Sequence, residues 1–153
     1  MDLNELNFLM DQLANSVDGI MVEKAPDDNA WGVAFTEGQF LLIEYTEELK
    51  KLVISSDLGK PRIEDRKGFY EMLLLVNSQW RETGGIRFAL DGPDGSVQLL
   101  ADQQAEGIHA NHLCALLITL DSYAQTWRKF IEEYQGGSTP VTVSLPGRDM
   151  LRA

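Results

Sequence analysis

Apolar positions along this chain change period several times, and each change marks an element. From Phe69 onward, Phe69, Met72, Leu73, Val76 and Trp80 recur at intervals of three and four, the spacing of a helix that lays one stripe on a core. The helix is expected to open near Asp65, where carboxylates suit the unpaired amides of a helix start, and to stop at Gly84-Gly85. Tyr70, Leu74 and Leu75 lie off the stripe. The apolar arc is therefore wider than packing on one side requires, and a second covering layer is expected, from this chain or from another copy. After the glycines the period drops to two. Ile86, Phe88 and Leu90 alternate with Arg87, Ala89 and Asp91, Val97 and Leu99 alternate with Ser96 and Gln98, and Asp-Gly-Pro-Asp-Gly at 91–95 supplies a tight connection. The stretch Glu64 to Ala101 thus reads as a helix followed by a hairpin, and the rest of the chain as cover for it.

Residues 2–17 predict a first helix, with Leu3, Leu6, Leu9 or Met10, Leu13 and Val17 on one side and Asp2-x-x-Glu5 as a capping arrangement. Gly19 to Asn29 reads as a polar loop holding at most a short extended piece at Ile20 to Val22. Three strands follow: Trp31 to Phe35, Phe40 to Tyr45 and Leu52 to Ser55, joined by links short enough for an antiparallel meander. Asp102 to Gly107 reads as a polar connection. From about His109 a long helix carries Leu113, Leu116, Leu117, Leu120, Ala124, Trp127, Ile131 and Tyr134 on one face and Asp121, Gln125, Lys129, Glu132 and Glu133 on the others, ending at Gly136-Gly137. The expected fold is α+β, a twisted antiparallel sheet of about five strands with three helices in the order α-β-β-β-α-β-β-α. Residues 1–135 form one domain, and 136–153, with two prolines and no lasting periodicity, read as a flexible tail.

Charge narrows the partners. Asp plus Glu total 24 against 13 Lys plus Arg, a formal charge of −11 with two His neutral, a field that repels nucleic-acid phosphates and anionic lipid. No apolar run approaches the roughly 20 residues of a membrane span, and the acidic start MDLNELNFLMDQL is unlike a secretory signal. A cytoplasmic protein is expected, with neither nucleic-acid binding nor membrane insertion. The single cysteine, Cys114, leaves no internal disulfide.

Catalytic chemistry finds little footing. His109 and His112 with Cys114 and Glu106 invite a zinc reading, but no second ligand pair with structural-site spacing accompanies them. Asp91, Asp94 and Ser96 lack the spacing and the distal glutamate of a calcium loop. Cys114 beside Leu113 and Leu116 reads as a buried thiol, and the three tryptophans Trp31, Trp80 and Trp127 as core residues. The glycine-rich nucleotide loops and the serine nucleophile elbow do not occur. No enzyme, metal or cofactor is expected.

The order of elements, the helix text LLLVN at 73–77, the Gly84-Gly85 step and the pattern Leu90-Asp91, Gly95, Val97, Leu99 together resemble the class I type III secretion chaperones of the Tir-chaperone, or CesT-like, family. The resemblance covers about residues 3–134. It implies a homodimeric bacterial chaperone without ATPase activity that holds the N-terminal region of secreted effectors in extended form, with the secretion ATPase as a further candidate partner. It places the dimer interface on the second helix and following strand, here Tyr70, Leu74, Leu75, Ile86 and Phe88. It places effector contacts on the first helix and early strands, here Phe8, Leu9, Leu13, Phe35, Leu41 and Ile43. The same architecture would also serve a regulatory protein, an anti-activator or stress-related protein that binds a folded partner, and both readings stay open at this stage.

Overall fold

A computed structural model of the chain describes residues 1–26 and 29–136. Its elements are α1 (Leu3–Ser16), β1 (Ile20–Lys24), β2 (Ala30–Phe35), β3 (Phe40–Thr46), β4 (Lys51–Gly59), α2 (Lys67–Ser78), β5 (Arg87–Leu90), β6 (Val97–Gln104) and α3 (Ala110–Glu133). The strands form one sheet of six in the order β1-β2-β3-β4-β6-β5, every neighbouring pair antiparallel. The fold class is the expected α+β, with six strands where about five were expected. The added strand is β1, inside the stretch expected to be a loop. It pairs in full register with β2, from Ile20 opposite Phe35 to Lys24 opposite Trp31, and that tertiary pairing outweighs the polar flanks that make the local text look irregular.

Two elements, α2 and β6, differ in their bounds from the sequence reading, for physical reasons. α1 starts where expected: Asp2 Oδ1 accepts from Asn4 N–H at 2.8 Å and Glu5 N–H at 2.9 Å, while Glu5 Oε2 accepts from Asp2 N–H at 2.7 Å, a complete capping box. α2 is shorter than expected, running only from Lys67, whose N–H donates to Asp65 Oδ1 at 3.1 Å, to Ser78. The turn that follows leaves Trp80 outside the helix and 59% exposed, so it is not the core residue its spacing suggested. β6 continues to Gln104 through residues expected to form a connection. There Asp102 is held by Arg87 Nη2 at 2.8 Å and Lys51 Nζ at 3.8 Å from the two flanking strands, so a polar segment is at home in the sheet. The expected tail lies outside the described residues from 137 onward.

All three helices cover one face of the sheet. α3 crosses β3 and β4, α1 lies beside α3 and β1, and α2 runs along β5. The α2 residue Phe69 meets Tyr134, which directly follows α3, at 5.0 Å between ring centroids. Beneath them the register aligns Trp31 with Ile43, Val33 with Leu41, Ile43 with Ile54, Ile54 with Ala101 and Phe88 with Leu99, all buried. Trp127 sits at the centre of an aromatic cluster, 4.5 Å from the Phe88 ring, 5.4 Å from Phe130 and 6.3 Å from Tyr123. Asp121, expected on a wet face of α3, is buried instead. Its Oδ1 accepts from Gln39 N–H at 2.5 Å and its Oδ2 from Gln125 Nε2 at 2.7 Å, so the carboxylate ties the β2–β3 turn to α3. Gly38 permits that approach, because a Cβ there would lie 2.5 Å from Asp121 Oδ1.

Candidate functional site

Among the described residues, no helix covers the opposite face of the sheet. Since successive strand residues point to opposite faces, the partners of the core set line this open face. Met21 sits opposite Ala34, which sits opposite Phe40. Glu23, Gly32, Leu42, Ser55, Leu100 and Arg87 form the next row across all six strands. Met21 is 68% and Phe40 60% exposed, and Leu42 and Leu100 are half-buried. The Phe40 ring lies over Gly32, where a Cβ would come within 2.8 Å of it. A glycine in β2 thus makes the bed for an aromatic side chain on the open surface. The Asp121 tie described above fixes the chain one residue before Phe40. Glu23 and Glu44 stand on the same face, so an apolar strip there has an acidic border.

A second apolar surface lies on the outer side of α2. Leu74 is 68% and Leu75 59% exposed, Tyr70 is half-buried, and Trp80 extends the patch past the helix end with the Arg81 guanidinium over its ring at 5.1 Å. Glu64, Arg66, Lys67, Tyr70, Glu71, Leu74 and Asp94 line a shallow depression of about 710 Å³ beside it, and within that lining Arg66 and Asp94 form an ion pair. On α1, Phe8 projects into solvent.

The residues singled out in the sequence divide accordingly. Of the expected effector contacts, Phe8 is exposed and Phe35 half-buried, whereas Leu9, Leu13, Leu41 and Ile43 are buried at 5%, 0%, 1% and 0% exposure. Leu9 and Leu13, on the inner side of α1, and Leu41 and Ile43, in β3, all belong to the core between helices and sheet. Of the expected dimer contacts, Leu74, Leu75 and part of Tyr70 are on the surface, while Ile86 and Phe88 are buried at 5% and 6%. Met21, Phe40, Leu42 and Trp80 were missed. Phe40 to Ile43 is an uninterrupted apolar run, in which period two defines two sets without saying which one the helices cover.

The residues with potential chemistry are dispersed. His109 occupies the N-cap of α3 without a side-chain cap, Cys114 is half-buried, and Asp94 is engaged by Arg66 in the β5–β6 turn. Among the described residues no three His, Cys, Asp or Glu side chains come together in a way that could hold a metal ion, and no helix is long and apolar enough to cross a membrane. Burial pushes the Tyr123 hydroxyl above the ordinary tyrosine value of 10.0, a shift opposed by the neighbouring Trp127 indole. That is a core effect, remote in character from catalysis.

The sequence profile described as the Tir chaperone protein (CesT) family matches residues 19–128, more than half of the chain. No curated protein matches the chain in sequence. Among solved structures, a chain of the ExsC–ExsE complex is 20% identical, with a TM-score of 0.74 over 88% of this chain and 100% of that one. A chain of the HopA1–SchA chaperone–effector complex is 15% identical, with a TM-score of 0.64 over 84% and 98%. One from the complex of the Yersinia pestis type III secretion chaperone SycH with a fragment of YscM2 is 20% identical, with a TM-score of 0.55 over 78% and 97%. At these identities the likeness establishes a shared fold, and with the profile match it assigns the chain to the Tir chaperone protein (CesT) family, whose members are chaperones rather than enzymes.

Proposed function

We propose that this chain is a cytoplasmic type III secretion chaperone that binds the N-terminal region of one or more effectors in extended form, keeps it soluble and presents it to the secretion apparatus, including its ATPase. The observation that carries this reading is the uncovered face of the sheet. An apolar strip of Met21, Phe40 and Leu42 runs to the edge strand β1, and an extended polypeptide can use both features at once. Backbone groups pair with an edge, while alternate side chains settle on the face. Pairing of this kind is indifferent to sequence, and the acidic border of Glu23 and Glu44 favours neutral or basic segments. Ordering an unfolded segment costs conformational entropy, so the contact must be extensive, and Phe8 and Phe35, on the helix-covered side of the sheet, are offered as a second patch for a segment that wraps round the β1 edge. Leu9, Leu13, Leu41 and Ile43 support that surface from beneath.

The outer face of α2, with Tyr70, Leu74, Leu75 and Trp80, is read as the contact between two copies in a homodimer. Ile86 and Phe88 hold α2 against the sheet from below. This second surface is separate from the strip on the open face, so each can be disrupted by itself.

The experiment is native co-purification of the protein from its bacterial host, followed by limited proteolysis and identification of the protected partner fragment. Protection of an N-terminal segment of a secreted protein is the expected result. Recovery of an intact folded regulator with no protected extended segment would replace the reading by the regulatory one.

A further inference from the structure

The two edges of the sheet are built differently. Alternate residues of an edge strand turn their N–H and C=O groups away from the sheet, and an unpaired row of such groups accepts further strands. Directly after β5, Asp91 N–H donates to Ser96 C=O, which continues the register of β5 with β6. This directs the backbone groups of Arg87 and Ala89 towards β6 and those of Ile86, Phe88 and Leu90 outward. The first two outward positions are already occupied. Phe88 N–H donates to Asn77 Oδ1 at 2.8 Å, and Asn77 Nδ2 donates to Phe88 C=O at 2.9 Å. The carboxamide thereby pairs with the strand in both directions, as a neighbouring backbone would. Ile86 N–H donates to Thr83 C=O at 3.2 Å, and Thr83 Oγ1 donates to Ile86 C=O at 3.1 Å. Thr83 is one of the few buried polar residues, and this contact accounts for it.

The β1 edge is the reverse. Thr36 N–H donates to Gly19 C=O and Ala25 N–H to Ala30 C=O, each at 3.0 Å, so the odd-numbered residues face β2 and Ile20, Val22 and Lys24 face outward. Ile20 N–H reaches Val17 C=O at 3.5 Å. Among the described residues no side chain hydrogen-bonds to the backbone of Val22 or Lys24.

We propose that Asn77 and Thr83 plug the β5 edge, so that strand addition to this chain is confined to β1. The plug is a property of the fold and holds whatever the client is; the confinement rests on the client-binding function proposed above. Asparagine suits the position because it donates and accepts at once. Alanine would leave both Phe88 groups free, and aspartate would still accept from Phe88 N–H while setting a carboxylate against Phe88 C=O. A further consequence is that two copies meeting through α2 do so by side chains and not by continuing the sheet across β5.

Amide hydrogen exchange and sedimentation velocity over a range of concentrations test the plug, with circular dichroism reporting the fold. In Asn77→Ala the Phe88 amide is expected to exchange about tenfold faster, the equivalent of one net hydrogen bond, and the variant to form larger species as concentration rises. Asn77→Asp is expected to keep the Phe88 amide protected, because its acceptor remains, yet to gain association, as is Thr83→Val, which frees Ile86 C=O. Repeating the series with Leu74→Glu separates edge pairing from contact through the outer face of α2. A folded Asn77→Ala with an equally protected Phe88 amide and no added association overturns the proposal. If Asn77→Ala does not fold, absence of added association in both Asn77→Asp and Thr83→Val overturns it.

Discussion

Replacing Phe40 by alanine separates a surface that binds from a core that folds. The side chain is 60% exposed on the open face, whereas Ile43, three residues on in the same strand, is fully buried on the other. Burying a phenylalanine completely is worth about 1.5–3 kcal/mol, so a client that covers the exposed share gains about 1–2 kcal/mol, roughly five- to thirtyfold in Kd. In the free protein, Phe40→Ala removes little that is out of water, and its stability is expected to change by less than about 1 kcal/mol. Ile43→Ala leaves a cavity under the helices and costs about 2–5 kcal/mol, a fall of about 4–20 °C in Tm. The assay pairs calorimetric titration of the protease-protected client segment with denaturant unfolding of the free chaperone. Phe40→Ala should weaken the titration and leave the unfolding midpoint in place, and Ile43→Ala should move the midpoint. A Phe40→Ala protein that is as unstable as Ile43→Ala, yet binds its client as tightly as before, would refute the assignment of the open face.

Three further outcomes are expected. Leu74→Glu should give a folded monomer, its dimer weakened at least about 100-fold because a carboxylate would be desolvated at the covered face; Ile86→Glu, at a buried position, should instead lose the fold, as circular dichroism would show. Val22→Pro removes an outward-facing N–H of β1 without touching the ladder to β2, so it should reduce client affinity while thermal unfolding stays near that of the parent; undiminished affinity would sink the confinement to β1 and leave the β5 plug intact. Because burial raises the Tyr123 pKa in the folded state, the unfolded chain releases this proton first as pH rises above about 10. Stability therefore falls on the alkaline side of that value and is unaffected below it, and Tyr123→Phe should flatten this part of a pH series of unfolding midpoints.

Period and punctuation in the sequence were enough for the three helices, five of the six strands and the α+β class. The stripe Leu113 to Ile131, the alternation at Ile86 to Leu90 and the capping pair Asp2 and Glu5 each act within a few residues of themselves, and local text records local forces. The resemblance through LLLVN and Gly84-Gly85 reached the family that the profile match supports. What the sequence left undecided depended on contacts between distant segments. β1 exists as a strand because β2 pairs with it. Trp80 is exposed because α2 ends one turn early, and Asp121 is buried because the β2–β3 turn, some eighty residues away, supplies a donor for its carboxylate. Above all, the alternating run Phe40 to Ile43 holds two equally apolar sets one residue apart. Only the packing of α1 and α3 on one side of the sheet decided that Leu41 and Ile43 form the core and that Phe40 and Leu42 face outward, since a one-residue step in a strand exchanges its two faces.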